Sequence, residues 1–446
     1  MRILKKNNFI PLMVLIGGSG CLFISFGIRH SFGMYLIPVS NYLEAGREIF
    51  GLAMAIQVLL IGMGSPIFGA LSDKYGSGKA ALLGVILVML GLTWMSNVNN
   101  SFDLIGSLAL MGIGGAGCGT AVVLGAVGRS VKVENRTLSL GIVMAAGSFG
   151  QFAVVPFTGY LIELVSWSQS LVYLSFFASI MLIFSFALNF SEKSESSKAG
   201  SRQTIKEALK EAFQSKSFNL LTLGFFVCGF HVTFVAVHLP AFIEDENLPF
   251  WVGGWALALI GLFNIVGTIY FGYLGDRLSK KNLLALLYSL RALLFLVFIF
   301  LPKTELTVLL FACVLGILWL STVPLTSGII TVVFGPYYMS MLYGIAFFSH
   351  QIGSFLGSWL GGRIYDTYGS YDVMWWISVA LGFIAALMHM PIKEKAVQRI
   401  ANQRAGNRNH YKCAKKIRCV GAKNWTRSLR TGLPCQFCPS FADSKK

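Results

Sequence analysis

Gly69-Ala-Leu71-Ser-Asp73-Lys74-Tyr-Gly76-Ser-Gly-Lys79 follows one apolar run of the chain, and Gly272-Tyr-Leu274-Gly-Asp276-Arg277-Leu-Ser-Lys280-Lys281 follows another. The two stretches share a G-x-L-x-D-[KR] core 203 residues apart. Each copy closes the second apolar run of a set of six, so the chain reads as a duplication with both copies in the same orientation.

Outward from this loop, the composition fits only a membrane protein. Of 446 residues, 55% are hydrophobic and 12% are charged, about half the roughly 25% charge of soluble domains, and the mean hydropathy is +0.67. The apolar residues come in runs of about 20, the length that crosses a hydrocarbon core roughly 30 Å thick. Twelve helical spans are expected near 9–37, 50–72, 80–98, 102–127, 137–163, 168–190, 217–243, 250–274, 282–301, 305–334, 341–364 and 372–391. The basic start, with Arg2, Lys5 and Lys6, leads into an apolar stretch too long for a signal peptide and lacking a small-residue cleavage site, so it is read as the first span.

An even span count puts both ends on one side. The amino end, the even-numbered loops and the tail hold 31 of the 36 Lys and Arg, whereas the opposite loops hold Arg47, Lys303 and Arg363. Basic residues mark the cytoplasmic side, so the net charge of +17 is a topology signal and not a nucleic-acid surface. A multi-pass protein of the cell (inner or plasma) membrane with both termini cytoplasmic is expected. The chain divides into a half at 1–190, a polar connector at 191–216 with a short amphipathic helix, a half at 217–392, and a basic, unpacked tail at 393–446. Cys21, Cys118, Cys228 and Cys313 lie in spans as small buried thiols. The tail's single C-x-x-C, with Cys435 and Cys438, falls short of a zinc pattern, and neither metal nor cofactor is expected.

The repeated loop resembles the short loop motif of the major facilitator superfamily, with Ser77 and Gly78 standing where that family often has a basic residue. Arg136-Thr-Leu138-Ser139-Leu-Gly141-Ile-Val-Met-Ala145-Ala146-Gly147-Ser-Phe-Gly150 resembles a narrower branch, the monocarboxylate transporters and oxalate/formate exchangers. So does His350-Gln-Ile-Gly353 through Gly361-Gly362-Arg363-Ile-Tyr365-Asp366-Thr-Tyr-Gly369-Ser-Tyr371, in its bacterial form. The resemblance implies an all-α fold of two six-helix halves around a central cavity, lined by spans one, four, seven and ten and scaffolded by three, six, nine and twelve. It covers the chain to about residue 392 and leaves out the tail.

Every Asp and Glu can be assigned to a loop, a helix end or a tail, so the membrane core holds cations without fixed anions: Arg29 and Arg291, with His30, His231, His238 and His350. An intramembrane Arg is by default a functional group. Arg29, on a cavity-lining span, is the first choice to fork a substrate carboxylate, against snorkelling to the interface. Arg291 either binds substrate or anchors the second half through an internal hydrogen-bond network. His231 and His350 are substrate-contact and proton-coupling candidates, histidine being the core group that titrates near neutral pH; the alternative is a neutral ring bonded between helices. Gln57, Gln151, Asn264 and Gln351 put one amide in spans two, five, eight and eleven, for substrate contact or for joining helices. Asp73, Lys74, Asp276 and Arg277 are gating candidates, since charged helix ends can pair in one conformation and separate in another. Gly353, Gly357 and Gly361, and Gly115 with Gly119, form close-packing seams.

These features point to a monomeric secondary transporter of small organic anions, monocarboxylates foremost, working by alternating access with or without protons. The alternatives are an exporter of drugs or other hydrophobic solutes, from whose usual patterns span five departs, and a membrane solute sensor that does not transport. The spacings of a membrane enzyme are missing.

Overall fold

The computed structural model describes residues 9–130, 136–190, 205–335 and 339–397. The expected basic tail from residue 398 on, and most of the connector before Ile205, lie outside the described residues. Every regular element among those described is helical. Span one runs from Phe9–Ser31 through a 3-10 turn at Phe32–Tyr35 into Leu36–Tyr42. Spans two and three are Arg47–Tyr75 and Ser77–Met95, span four is Ser101–Cys118 continued as Thr120–Ser130, and spans five and six are Arg136–Leu164 and Trp167–Leu188. After the connector helix Ile205–Gln214 come span seven (Lys216–Asp245), eight (Phe250–Arg277), nine (Lys280–Phe300), ten (Glu305–Leu318 and Thr322–Phe334), eleven (Met339–Tyr368) and twelve (Asp372–His389).

Eleven of these are long and apolar enough to cross a membrane by composition alone. Span eleven is as long, but Ser349, His350, Gln351, Ser354, Ser358 and five glycines lower its hydropathy. His350, Gln351, Ser354, Ser358 and four of the glycines, Gly353, Gly357, Gly361 and Gly362, are buried or pressed against other helices, so its polarity largely reflects protein contact. Spans three and six pair on the outside of one half, and nine and twelve on the other. Their outer faces carry exposed Leu83, Ile86, Leu90, Ile183, Phe186, Leu293 and Phe383, the surface that lipid covers. The helices overrun the expected limits at the end away from the connector. Span one continues to Tyr42 and span two begins at Arg47, so Arg47 and Arg363, read from sequence as loop residues, are helical.

The two halves meet through spans two and eleven and through five and eight. These pairs touch at mid-depth and at the far side, away from the connector. A β-carbon on Gly51 would lie 2.5 Å from the Ser358 carbonyl oxygen, and one on Gly362 would lie 2.3 Å from that of Arg47. Toward the connector side the same four helices part, since a β-carbon on Gly69, Gly141, Gly272 or Gly344 would meet no atom of the described residues within 4 Å. Among the described residues the halves are therefore in contact at the far side and parted at the connector side. Span one's 3-10 turn helps shut it: Gly33 sits against span seven, where a β-carbon would be 2.3 Å from the Ala236 carbonyl oxygen.

Spans four and ten each break near mid-depth, where freed backbone groups have no water to bond. Span four breaks at Gly119, where any side chain would strike the Gly115 carbonyl. In span ten the break frees the carbonyls of Leu318 and Trp319, and the Arg291 guanidinium of span nine donates Nη2 to both, at 2.7 Å for Trp319. Its Nη1 also lies 3.6 Å from the Cys228 sulfur. A cation at a helix C-terminus meets the negative end of the helix dipole, so fully buried Arg291 compensates span ten. Asn264 of span eight completes the repair by accepting the Leu320 amide at 3.1 Å.

Two stability outcomes follow. Arg291→Met, which keeps the bulk but orphans two carbonyls, is expected to destabilise the detergent-solubilised protein by about 2 kcal/mol; equal thermal stability of this variant and the wild type would refute the anchoring role. Gly357→Leu drives side chain into the Phe230 carbonyl, 2.3 Å from where its β-carbon would lie, and should cost about 3 kcal/mol or more, read in the same melt.

Candidate functional site

Arg29 closes span one's long helix, in a stripe with Gly18, Leu22 and Ser25 at helical spacing. A β-carbon on Gly18 would press on Val123 and Val127 of span four, so the stripe faces span four. Span one's other faces are covered: Gly17 and Gly20 abut Phe184 of span six, and Gly27 abuts Val154 of span five. Arg29 is thus turned toward protein and away from lipid. It is half-buried, and among the described residues no hydrogen bond or ion pair reaches its guanidinium. Beside it, His30 donates Nδ1–H to the Phe26 carbonyl at 2.8 Å, which leaves Nε2 as an acceptor.

The other expected site residues are held differently. Fully buried His231 bonds through Nε2 to the Ser378 carbonyl of span twelve at 2.9 Å, with its ring edge on Phe295 of span nine. That is a packing position between scaffold helices, away from span four and the parted ends. Arg291 points into the break of span ten, which matches the anchoring alternative read from sequence. His350 is nearly buried between Phe225 and Phe347, with Nδ1 3.0 Å from Gln351 Oε1 and 3.4 Å from Ser354 Oγ.

Three amides join the halves. Gln151 of span five donates to the Leu257 carbonyl of span eight at 2.7 Å. Gln351 of span eleven donates to the Val58 carbonyl of span two at 2.8 Å. Spans five and eleven hold equivalent places in the two repeats, as do eight and two, so these are one clasp made twice. Each glutamine lies over a glycine, Gly261 and Gly62, where a β-carbon would come within 2.9 Å of its Cγ. Asn264 adds a bond to Ser148 Oγ at 3.0 Å. Gln57 is buried with Oε1 unpartnered among the described residues.

The repeated loop ends spans two and eight at the open side. Lys74 lies 5.0 Å from the Tyr75 ring centroid and Arg277 lies 4.2 Å over that of Tyr273. Among the described residues neither these two nor Asp276 has an ion pair with the other half; the Asp73 side chain lies outside the described residues.

At the far side the structure assembles a charged lock that the sequence reading missed. Gly46 supplies no side-chain cap to span two. Asp366 of span eleven fills that role, accepting the Arg47 and Glu48 amides at 2.9 and 2.7 Å. The Arg47 guanidinium forks onto Asp245 of span seven at 2.5 and 2.6 Å and stacks 3.6 Å over Tyr365. Glu48 accepts from Trp359 Nε1 and Arg363 at 2.9 and 3.1 Å. Arg47 and Glu48 belong to the first half and all their partners to the second. A signal was available: the far-side loops have few charges, and these belong to them.

The chain's similarities agree with this architecture. The family model described as Major Facilitator Superfamily matches residues 18–358. An uncharacterised MFS-type transporter of Bacillus subtilis is 23% identical over 379 residues, 82% of this chain and 91% of that protein. Monocarboxylate transporter 12-B of Danio rerio is 24% identical over 390 residues, covering 80% of this chain and 81% of its own. Among solved structures, that of the D-xylose-proton symporter superposes with a TM-score of 0.69 at 15% identity, over 87% of this chain and 99% of that one. The duplicated loop, twelve helices in two halves and the family match together place the chain in the Major Facilitator Superfamily, as a transporter and not an enzyme.

Proposed function

We propose that the protein carries small organic anions, monocarboxylates foremost, across the cell membrane by alternating access, with its termini in the cytoplasm. The observation that carries this reading is Arg29: a guanidinium on span one, turned to protein, with no anionic side chain bonded to it among the described residues. A charge at that depth is costly when unpaired, and a substrate carboxylate satisfies it with two parallel hydrogen bonds. Relatives named monocarboxylate transporters support the same substrate class. His30, and His350 at the meeting of spans seven and eleven, are the imidazoles placed to share the solute or a proton.

The closed far side and the parted connector side supply one end state of the cycle, the inward-facing one under the proposed topology. The opposite state requires the far-side lock to open and the ends bearing Lys74 and Arg277 to come together. In that closure Asp73 and Asp276 would meet the opposing helix ends, which is their proposed gating role.

Uptake of labelled lactate, pyruvate, formate and oxalate into proteoliposomes, with and without a pH gradient, tests the reading. Saturable anion uptake is expected, with Arg29→Gln lowering kcat/KM about 30-fold, the equivalent of roughly 2 kcal/mol for one charged hydrogen-bonded pair, at unchanged melting temperature. Saturable uptake of a neutral or cationic solute by the wild type, or full activity of Arg29→Gln, would overturn it.

A further inference from the structure

The sequence places His238 among the core histidines without a role of its own. It lies on span seven two turns after His231, nearly fully buried at the far side. Its Nε2 is 2.7 Å from the Ser358 carbonyl oxygen and its Nδ1 is 3.1 Å from Tyr371 Oη. A carbonyl only accepts, so Nε2 carries the hydrogen and, in the neutral ring, Nδ1 accepts from the tyrosine hydroxyl. Tyr371 Oη in turn accepts from Arg47 Nη1 at 3.2 Å, and Arg47 forks onto Asp245. The polarity is fixed along the chain: Arg47 donates to Tyr371, Tyr371 to His238, and His238 to Ser358. Ser358 then crosses back to the first half, its hydroxyl donating to the Gly51 carbonyl at 2.8 Å.

Backbone shape holds the ring there. A β-carbon on Gly361 would lie 2.4 Å from Nε2, and one on Gly51 would lie 3.6 Å from Cε1, so both glycines are spaces the imidazole fills or borders. The charged and titratable groups on the helices around it are Arg47 and Glu48 on span two, Glu244 and Asp245 on its own span, Arg363, Tyr365 and Asp366 on span eleven, and Tyr371 before span twelve. Of these, Tyr371 touches the ring, and Arg47 stands one bond further on.

We propose that His238 is the proton-sensing group of the far-side gate: closure requires it neutral, and its protonation favours the open state. A second proton on Nδ1 turns that atom from acceptor to donor. Tyr371 then loses its acceptor, and its oxygen is faced by two donors. The new imidazolium also stands one hydroxyl away from the Arg47 cation, and the two repel. Both effects fall on the arginine that ties span two to span seven. Because the open state binds this proton better, mass action shifts the equilibrium toward it. The inference rests on the proposed alternating-access cycle, but not on which solute is carried.

Electron–electron distance measurement between spin labels at Asn41→Cys and Thr367→Cys, exposed positions on the two halves at the far side, reads the gate directly. Cys413, Cys419, Cys435 and Cys438 would be replaced by Ser in the full-length protein held in lipid nanodiscs. The wild type should gain a long-distance population as pH falls from about 8 to about 5, across the range in which histidine titrates. His238→Gln, whose amide can still donate to Ser358, should hold the short distance throughout. Tyr371→Phe keeps the histidine but cuts its link to Arg47. It should raise the open fraction at the higher pH and reduce the pH-driven change at least threefold. Opening that follows pH in His238→Gln as in the wild type, a wild type with no pH response, or an unaltered response in Tyr371→Phe would overturn the proposal. Loss of the response only in Glu48→Gln or Asp366→Asn would also overturn it, transferring the sensor to the lock's carboxylates. Absence of anion uptake alongside an intact pH-driven opening would sink the substrate reading and leave the gate standing.

Discussion

A helix that breaks inside hydrocarbon exposes carbonyls and amides that no water can reach, and each unsatisfied group there costs several kcal/mol. That constraint governs the centre of this molecule. The break in span ten is tolerable because Arg291 reaches from span nine to Leu318 and Trp319, and Asn264 reaches from span eight to Leu320. The same side chains thereby fix spans eight, nine and ten as one body. A rigid second half is a condition for rocking, because a half that yielded internally could not transmit a change at one face of the membrane to the other.

Between the halves the mid-depth interactions are of a weaker kind. The clasps Gln151 to Leu257 and Gln351 to Val58 are single amide-to-carbonyl bonds, and interhelical bonds of this kind contribute about 1 kcal/mol each. They sit at equivalent places in the two repeats, so neither half is held more firmly than the other at mid-depth. The far-side lock is a different kind of contact: a forked ion pair, a borrowed helix cap and an arginine stacked on tyrosine. The Arg47 and Asp245 side chains are 14% and 27% exposed, close enough to water to hydrate if the halves separate as proposed, which would keep the two proposed end states within a few kcal/mol. Permanent apolar packing between the halves would remove that balance.

The fold was readable because its signals are additive along the chain: twenty-residue apolar runs, a loop repeated 203 residues apart, and basic residues confined to alternate loops. The site was readable only where identity and depth suffice. Arg29 stands out in the sequence because it is an arginine at depth on a span that the resemblance sets beside the cavity, and Arg291 has its anchoring alternative there too. His231 shows the limit. A span's place in the order says that it borders a cavity, but not which of its faces does so. Span seven turns the stripe of His231 and His238 to span twelve, where the antiparallel partners Ser378 and Tyr371 are likewise seven residues apart. The lock was hidden for another reason. Arg47, Glu48, Asp245 and Asp366 are scattered over three spans, and counting charges by loop gives sidedness while discarding which charge meets which.

The two intramembrane arginines then differ in what remains of their charge. Arg291 directs its guanidinium at carbonyls, a thiol and the Tyr288 ring, so its field is absorbed by the second half's own dipoles. Among the described residues Arg29 has no such acceptors, and Asp245 and Glu48 at the far side are committed to the lock. If the solute is an anion, the cavity is therefore asymmetric, with attraction concentrated on the first half and little to compete for it from the second. Under that arrangement the solute travels with the first half as the halves rock, and the second half closes over it. The Arg47 link joins these events, because the span that leads from the lock toward Val58 and its clasp also belongs to the half that bears Arg29.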